Sequence, residues 1–139
     1  KLLLQSEYNL AIKHASFRFW VFEKGKPSHV IGTVSFHNVR RGFHQSCEMG
    51  YKFDQRYWGR GYAKESILKC IWIAFEELKL HRIEAYVLAE NTASRKLLEG
   101  IGFRLEGIKR QSVKMHGVWR DHELYGLVAG EGNLGKLDR

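Results

Sequence analysis

The apolar residues of the chain follow two different spacings, and these spacings locate the predicted elements. Residues 46–54 alternate apolar and polar positions, which is typical of a half-buried strand. After Gly61 the apolar residues recur at helical spacing, which predicts a long amphipathic helix. The same patterns predict strands over 17–23, 30–36, 82–88, 103–113 and 118–128, a short helix over 94–101, and a helix over 2–15.

The predicted order is helix, three antiparallel strands, helix, strand, helix and two strands, which belongs to the mixed α/β or α+β class. The strand at 46–54, the long helix and the strand at 82–88 should form a right-handed parallel unit. A loop is expected over 38–45 and a loose tail from Gly130. Because 139 residues suffice for one core, we expect 1–139 to be a single domain.

Charge and composition narrow the classes of protein that fit. The 23 Lys and Arg against 15 Asp and Glu give a net charge of +8, which attracts polyanions such as nucleic acid, a membrane or a phosphorylated cofactor. Outside the glycine-containing segment described below, the basic residues are scattered except for Arg40-Arg41, so no dedicated nucleic-acid surface is predicted. With no membrane-length apolar run and no signal peptide, we expect a cytoplasmic protein.

Cysteine and histidine spacing indicates no metal site. Cys47 and Cys70 stand singly inside apolar patterns and are predicted to be buried thiols. The seven histidines lack the paired spacing of zinc ligands. Two positions fit Trp58 and Trp119 equally well, the core and the mouth of a binding site, and the sequence does not decide between them.

A glycine-containing segment, Arg56-Tyr-Trp-Gly-Arg-Gly-Tyr-Ala63, joins the strand at 46–54 to the long helix. Glycine lets backbone N–H groups approach a ligand, and the positive end of a helix dipole favours an anion such as a pyrophosphate. Arg56 and Arg60 add positive charge. Tight strand-to-helix turns also use glycine without binding anything, and Lys64 breaks the dinucleotide fingerprint, which wants Gly or Ala there.

The segment resembles the pyrophosphate loop of the GCN5-related N-acetyltransferases (GNAT), which reads Arg/Gln-x-x-Gly-x-Gly/Ala and is matched by Arg56, Gly59 and Gly61. Further matches are similar to the RimJ/RimL-type branch, which includes ribosomal-protein N-terminal acetyltransferases: Phe75-Glu-Glu-Leu78, His81-Arg-Ile-Glu-Ala85, Asn91-x-x-Ser94, Gly102-Phe103 and Glu106-Gly107. The resemblance covers residues 17–128. It implies a GNAT fold with two splayed central strands, and the strand and helix with which members normally begin look missing here.

The resemblance implies that acetyl-CoA is the cosubstrate and that its acetyl group passes to a primary amine, with a protein N-terminal α-amine favoured. An aminoglycoside or polyamine acceptor, a non-catalytic acyl-CoA-binding module and a basic nucleic-acid-binding domain are the alternatives, and a homodimer is a candidate assembly. The cofactor-binding residues expected from the loop and the resemblance are Tyr51, Phe53, Arg56, Gly59, Arg60, Gly61, Tyr62, Ala63, Asn91 and Ser94. Asn91 has the alternative of an ordinary turn residue.

Two residues are candidates for catalysis. Glu48 resembles a strand glutamate that serves as general base in several members, and a surface or paired carboxylate is the equally weighted alternative. Ser94 matches a serine that lies near the thioester sulfur and can protonate the leaving thiolate. We favour helix capping or a polar position in the first helical turn for Ser94 instead. The tyrosine that many relatives place four residues before the Gly-Phe pair is Leu98 here.

Overall fold

The computed structural model describes residues 2–11 and 14–132, with side chains from residue 16 onward. The described strands form one seven-stranded sheet in the order β1-β2-β3-β4-β5-β7-β6. The elements are β1 (Leu2–Ala11), β2 (His14–Glu23), β3 (Val30–Arg40), β4 (Ser46–Phe53), a 3-10 turn (Gln55–Tyr57), α1 (Tyr62–Trp72) with a π-helical continuation (Ile73–Glu77), β5 (Arg82–Val87), α2 (Thr92–Ile101), β6 (Arg104–Met115) and β7 (Val118–Val128).

The first element differs from the sequence prediction. Residues 2–11 form β1, which pairs antiparallel with β2 from Leu2↔Glu23 to Ala11↔His14, so the helix predicted over 2–15 is wrong. Short apolar runs do not separate helix from strand by spacing alone. Pairing with β2 supplies the backbone hydrogen bonds and decides in favour of the strand.

The loop predicted over 38–45 begins later than expected, because β3 continues to Arg40. The β3–β4 register shifts between His37 and Arg40, and Asn38 lies inside this irregularity with a φ of 49°. Asparagine tolerates that left-handed conformation better than most residues. The other predicted strands and both later helices are confirmed, with ends shifted by a few residues.

A single core joins the helices to one face of the sheet. The buried face of α1 consists of Ile67, Cys70 and Ile71, as the helical spacing predicted, and Ala74 follows in the π-helical turn. Cys47 and Cys70 are free and buried, which confirms that prediction, and burial raises the pKa of each thiol to about 12.

The predicted parallel pairing of β4 with β5 is confirmed, but it is short. Register pairs join Ser46–Glu48 to Arg82–Glu84 only, although both strands continue beyond this contact. The two strands therefore separate after Glu48 and leave a gap in the middle of the sheet.

The start of the predicted loose tail is packed. The Glu131 carboxylate forms an ion pair with the Arg104 guanidinium at 2.9 Å. Gly132 packs closely on Gly102, since a Cβ built at Gly102 would lie 2.4 Å from the Cα of Gly132. The prediction is therefore wrong for 130–132, and the rest of the tail lies outside the described residues. Within the described residues, no helix is long and apolar enough to cross a membrane.

Candidate active site

A cleft of about 520 Å³ opens where β4 and β5 separate. It extends from the second half of β4 across the start of α1 to the start of α2. Its walls are Tyr51, Lys52, Phe53, Tyr57, Trp58, Gly59, Gly61, Tyr62, Ala63, Lys64, Asn91, Ala93, Ser94 and Leu97. Three separate chain segments thus meet around one space.

Backbone donors of β4 face this gap. The N–H and C=O directions alternate along a strand in an antiparallel pair. Asp54 N–H donates to the Ile31 carbonyl on the β3 side at 2.8 Å. The N–H groups of Tyr51 and Phe53 therefore point to the opposite side, where β5 has moved away after Glu48. Such groups need a partner, and an extended amide-containing ligand can supply it.

The start of α1 presents a second set of free donors. Gly61 is the N-cap residue at φ 79°, and it has no side chain to cap the helix. Glu65 is the first residue to donate within the helix, to the Gly61 carbonyl at 3.0 Å. The N–H groups of Tyr62, Ala63 and Lys64 thus lack helical acceptors, and with the helix dipole they form an anion-binding position.

Gly59 and Gly61 keep this position accessible. Both have positive φ values, 77° and 79°, which favour glycine for conformational reasons. A Cβ at either residue would meet no protein atom within 4 Å. The space next to each glycine is therefore open to a ligand.

The two arginines predicted for this site do not line the cleft. The Arg56 guanidinium pairs with the Asp54 carboxylate at 2.6 Å and is 71% exposed. Hydrogen bonds from Arg56 lower the pKa of Asp54 to about 2. The Arg60 guanidinium lies 5.3 Å from the centre of the Tyr57 ring. The roles of both arginines in binding an anion stay predictions.

Two lysines that line the cleft are not among the site residues predicted from the sequence. Lys52 and Lys64 line the cleft and add positive charge to its walls. Lys64 follows the predicted amide donors directly at the start of α1, so extending that series by one residue finds it. Lys52 lies between the inward-facing positions of β4 at Tyr51 and Phe53. It lines the cleft because β4 and β5 have separated at this level.

Aromatic rings flank the start of α1. The rings of Tyr57 and Tyr62 have centres 5.9 Å apart, and the Tyr62 hydroxyl donates to Glu23 Oε2 at 2.6 Å. Trp58 donates its indole N–H to the Phe53 carbonyl at 3.0 Å and remains 64% exposed while lining the cleft. Trp119 lies on β7 and is 55% exposed. Neither tryptophan is a core residue.

The cap of α2 is Asn91. Its side-chain Oδ1 accepts a hydrogen bond from Ser94 N–H at 3.2 Å. The capping role favoured for Ser94 is therefore wrong. The Ser94 hydroxyl instead accepts a hydrogen bond from the Tyr51 hydroxyl at 2.8 Å, which connects α2 to β4 beside the gap.

Glu48 lies at the last register pair before the strands separate, and its side chain is on the face of β4 opposite the buried Cys47 and Met49. Its Oε2 accepts a hydrogen bond from Asn38 Nδ2 at 2.8 Å, and its Oε1 lies 3.7 Å from His37 Nε2. The side chain is 29% exposed, so it is held in place but reachable from solvent. It does not line the cleft.

The structure thus brings together most of the predicted site. The predicted site residues that line the cleft are Tyr51, Phe53, Gly59, Gly61, Tyr62, Ala63, Asn91 and Ser94. Glu48 lies at the end of the gap on the other face of the sheet, and Arg56 and Arg60 point elsewhere. Within the described residues, no cluster of three or more metal-ligating side chains is found.

A family model described as an acetyltransferase (GNAT) domain matches residues 3–104. The chain belongs to the GNAT acetyltransferase family. The probable N-acetyltransferase YjcK of Bacillus subtilis (strain 168) is 40% identical over 116 residues, which are 84% of this chain and 64% of YjcK. The ribosomal protein uS5-alanine N-acetyltransferase of Escherichia coli (strain K12) is 31% identical over 122 residues, which are 88% of this chain and 62% of that protein. The chain spans less than two thirds of these relatives.

Solved structures of GNAT proteins share the fold. The ribosomal-protein-S5-alanine acetyltransferase of Vibrio fischeri has a TM-score of 0.79 at 31% identity, covering 85% of this chain and 64% of that one. RimJ of Mycobacterium smegmatis, in complex with CoA-disulfide, has a TM-score of 0.76 at 32% identity, covering 82% and 53%. A spermidine N-acetyltransferase SpeG chimera from Vibrio cholerae and hSSAT has a TM-score of 0.75 at 26% identity, covering 81% and 66%. The GNAT fold and the RimJ-like branch predicted from the sequence are confirmed.

Proposed function

We propose that this chain is the catalytic domain of an N-acetyltransferase that moves an acetyl group from acetyl-CoA to a primary amine, with a protein N-terminal α-amine as the acceptor. The observation that carries the proposal is the meeting, in one cleft, of uncapped α1 amides and the β4 N–H groups that β5 does not pair. A pyrophosphate fits the first and an amide-rich pantetheine arm fits the second. Acetyl-CoA contains both.

The residues of the cleft bind the cofactor and polarise its thioester. The amides of residues 59–64 hold the pyrophosphate, helped by Lys52 and Lys64. Asn91 lies beside the expected path of the pantetheine arm. A β4 N–H at Tyr51 or Phe53 donates to the thioester carbonyl, where negative charge develops during attack. These donors exist before the ligand arrives, so little reorganisation is needed.

The acceptor amine approaches from the face of Glu48. Only a neutral amine attacks a carbonyl, and a protein α-amine with a pKa of about 7.7 to 8.0 is partly neutral at physiological pH. Glu48 lies at the near end of the gap, where it can take the remaining proton. Asn38 and His37 fix the orientation of its carboxylate.

The relatives support a protein acceptor, since two of those compared are named for acting on an alanine of ribosomal protein S5 (uS5). A polyamine is the second candidate because SpeG shares the fold. The basic surface of this chain, with a net charge of +8, disfavours a polycation.

An acceptor panel tests the proposal. We expect release of free thiol from acetyl-CoA with a peptide that begins with an unblocked alanine, and a rate lower by about tenfold or more with its N-blocked counterpart, because the blocked terminus has no amine to attack the thioester. Spermidine and an aminoglycoside complete the panel. Thiol release that never exceeds hydrolysis with any amine would contradict the proposal, and calorimetric binding of acetyl-CoA without turnover would favour a binding module.

Replacing Ser94 by alanine tests the role that the family resemblance implies for this residue, a hydrogen bond from its hydroxyl to the leaving sulfur. Because Asn91 already caps α2, we expect the free energy of unfolding to change by no more than about 1 kcal/mol. We expect kcat to fall about 10- to 100-fold, the size of a hydrogen bond to a charged atom. The fall should shrink with an acetyl thioester whose thiol is more acidic, because that thiolate needs less stabilisation.

Thr92→Ala is the matched control, since it removes a hydroxyl from the same turn outside the cleft walls, where Thr92 Oγ1 lies 3.5 Å from the Glu90 carbonyl. Its kcat should stay within twofold of the original protein, an effect below ~0.5 kcal/mol. An equal loss of rate with both thioesters in the Ser94 variant would defeat the proposed role of Ser94.

A further inference from the structure

A hydrogen bond links two elements across the cleft at the position proposed for the reacting thioester. The Tyr51 hydroxyl on β4 donates to the Ser94 hydroxyl oxygen on α2 at 2.8 Å. Both residues line the cleft, and β4 and β5 have already separated at this level. Tyr51 is partly buried, with its ring packed against the core.

The arrangement in which Tyr51 is the donor leaves the hydrogen of Ser94 free. A serine hydroxyl has one donor and two acceptor positions. Either hydroxyl of such a pair can donate, and where Tyr51 is the donor it fills an acceptor position of Ser94 and leaves the Ser94 hydrogen available. In the described residues, Tyr51 is the only hydrogen-bond partner of the Ser94 hydroxyl. In that arrangement the Ser94 O–H is a donor that can turn towards the cleft.

We propose that Tyr51 is a positioning residue for the leaving group: its hydroxyl holds the Ser94 hydroxyl so that Ser94 donates a hydrogen bond to the departing sulfur. This inference rests on the proposed function. It gives the phenol of Tyr51 a role in addition to that of the β4 backbone N–H, which donates to the thioester carbonyl. It also places a tyrosine beside the leaving group although α2 carries Leu98 where many relatives carry tyrosine.

The chemistry balances without ionising either hydroxyl. The amine nitrogen forms a bond to the thioester carbon, and its proton leaves through Glu48 to solvent. The carbon–sulfur bond then breaks, and the electron pair goes to sulfur. The thiolate accepts the hydrogen bond of Ser94 and later takes a proton from solvent. A thiol pKa of about 8.5, as for a free cysteine, makes the thiolate a competent leaving group with one hydrogen bond.

The surroundings of Tyr51 favour a lasting donor. Burial raises the pKa of Tyr51 above its usual value. The phenol therefore keeps its proton at neutral pH, as a positioning donor must. A phenol that had to transfer its proton would need the opposite shift.

Tyr51→Phe tests the inference because it keeps the ring and removes the hydroxyl. We expect kcat to fall about 3- to 10-fold, as for one neutral hydrogen bond, with KM for acetyl-CoA unchanged within twofold. In a Ser94→Ala background the same substitution should have no further effect, since its target is gone. The fall should also shrink with the thioester of a more acidic thiol.

Tyr125→Phe is the control for loss of a buried tyrosine hydroxyl, because Tyr125 is 1% exposed, hydrogen-bonds to Glu123 and Arg95, and is not among the residues that line the cleft. It should leave the ratio of the rates with the two thioesters unchanged. Losses of rate that multiply in the Tyr51→Phe/Ser94→Ala double variant would overturn the inference. So would a raised KM with an unchanged kcat, which indicates that Tyr51 only lines the cleft.

A binding measurement decides the inference even without turnover. Calorimetric affinity for CoA, measured from pH 7 to 10, should rise as the CoA thiol ionises, because the aligned Ser94 hydroxyl stabilises the thiolate. Tyr51→Phe should flatten this rise. An identical pH dependence in both proteins would overturn the inference. The proposed function fails separately, if the original protein binds acetyl-CoA but acetylates no amine.

Discussion

Gly61→Leu should abolish binding of acetyl-CoA while the protein still folds. Gly61 is the N-cap of α1 and lines the cleft, and a Cβ there would project into space free of protein atoms within 4 Å. A leucine side chain would occupy the position assigned to the pyrophosphate. We expect the calorimetric Kd to rise by on the order of 100-fold or more, or ~2.7 kcal/mol.

The strain of the substitution is separable from its effect on binding. A left-handed φ costs a non-glycine residue about 1 to 2 kcal/mol. Gly117, in the turn between β6 and β7, has the same φ of 79° and the same open space. Gly117→Leu should therefore lower the free energy of unfolding similarly and leave the Kd for acetyl-CoA intact. Unchanged affinity in the Gly61 variant would remove the pyrophosphate assignment.

Glu48→Gln should lower kcat on the order of 100-fold or more at neutral pH, the usual scale for loss of a general base. The amide keeps the shape of the side chain but cannot accept the proton of the amine. Affinity for acetyl-CoA should hardly change, because Glu48 lies outside the cleft walls. The loss should diminish as the pH rises above about 8, where solvent deprotonates an α-amine.

Glu84→Gln is the matched control, since Glu84 faces Glu48 across the β4–β5 register and its carboxylate pairs with Arg82 at 2.9 Å. It removes the same charge one strand away. We expect its kcat to stay within threefold of the original protein, ~0.7 kcal/mol. A loss below threefold in the Glu48 variant would show that water or another residue is the base and that Glu48 is structural.

Local patterns predicted the parts of the fold in which one periodicity dominates. The alternation of residues 46–54 and the helical spacing after Gly61 were sufficient for β4 and α1, because each element buries a single face. The helix predicted over 2–15 failed where the spacing was ambiguous and the β2 partner decided. The cap of α2 was assigned to Ser94 because serine and asparagine are both common near helix starts.

The glycine segment contains one part of the site that the sequence predicts and one part that it does not. Its two glycines and the following helix predicted an anion position, because positive φ values and free first-turn amides are properties of consecutive residues. The directions of Arg56 and Arg60 are not such properties. The Arg56 guanidinium pairs with Asp54, two residues away, whereas Lys52 and Lys64 line the cleft.

Consecutive residues thus specify which backbone groups are free to bind, since helix caps, strand alternation and glycine conformations are local. Contacts between distant segments are specified only by packing of the whole sheet. The separation of β4 from β5 after Glu48 and the hydrogen bond from Tyr51 to Ser94 are of this second kind. Their geometry depends on where the core places α2 against the sheet, which no window of sequence contains.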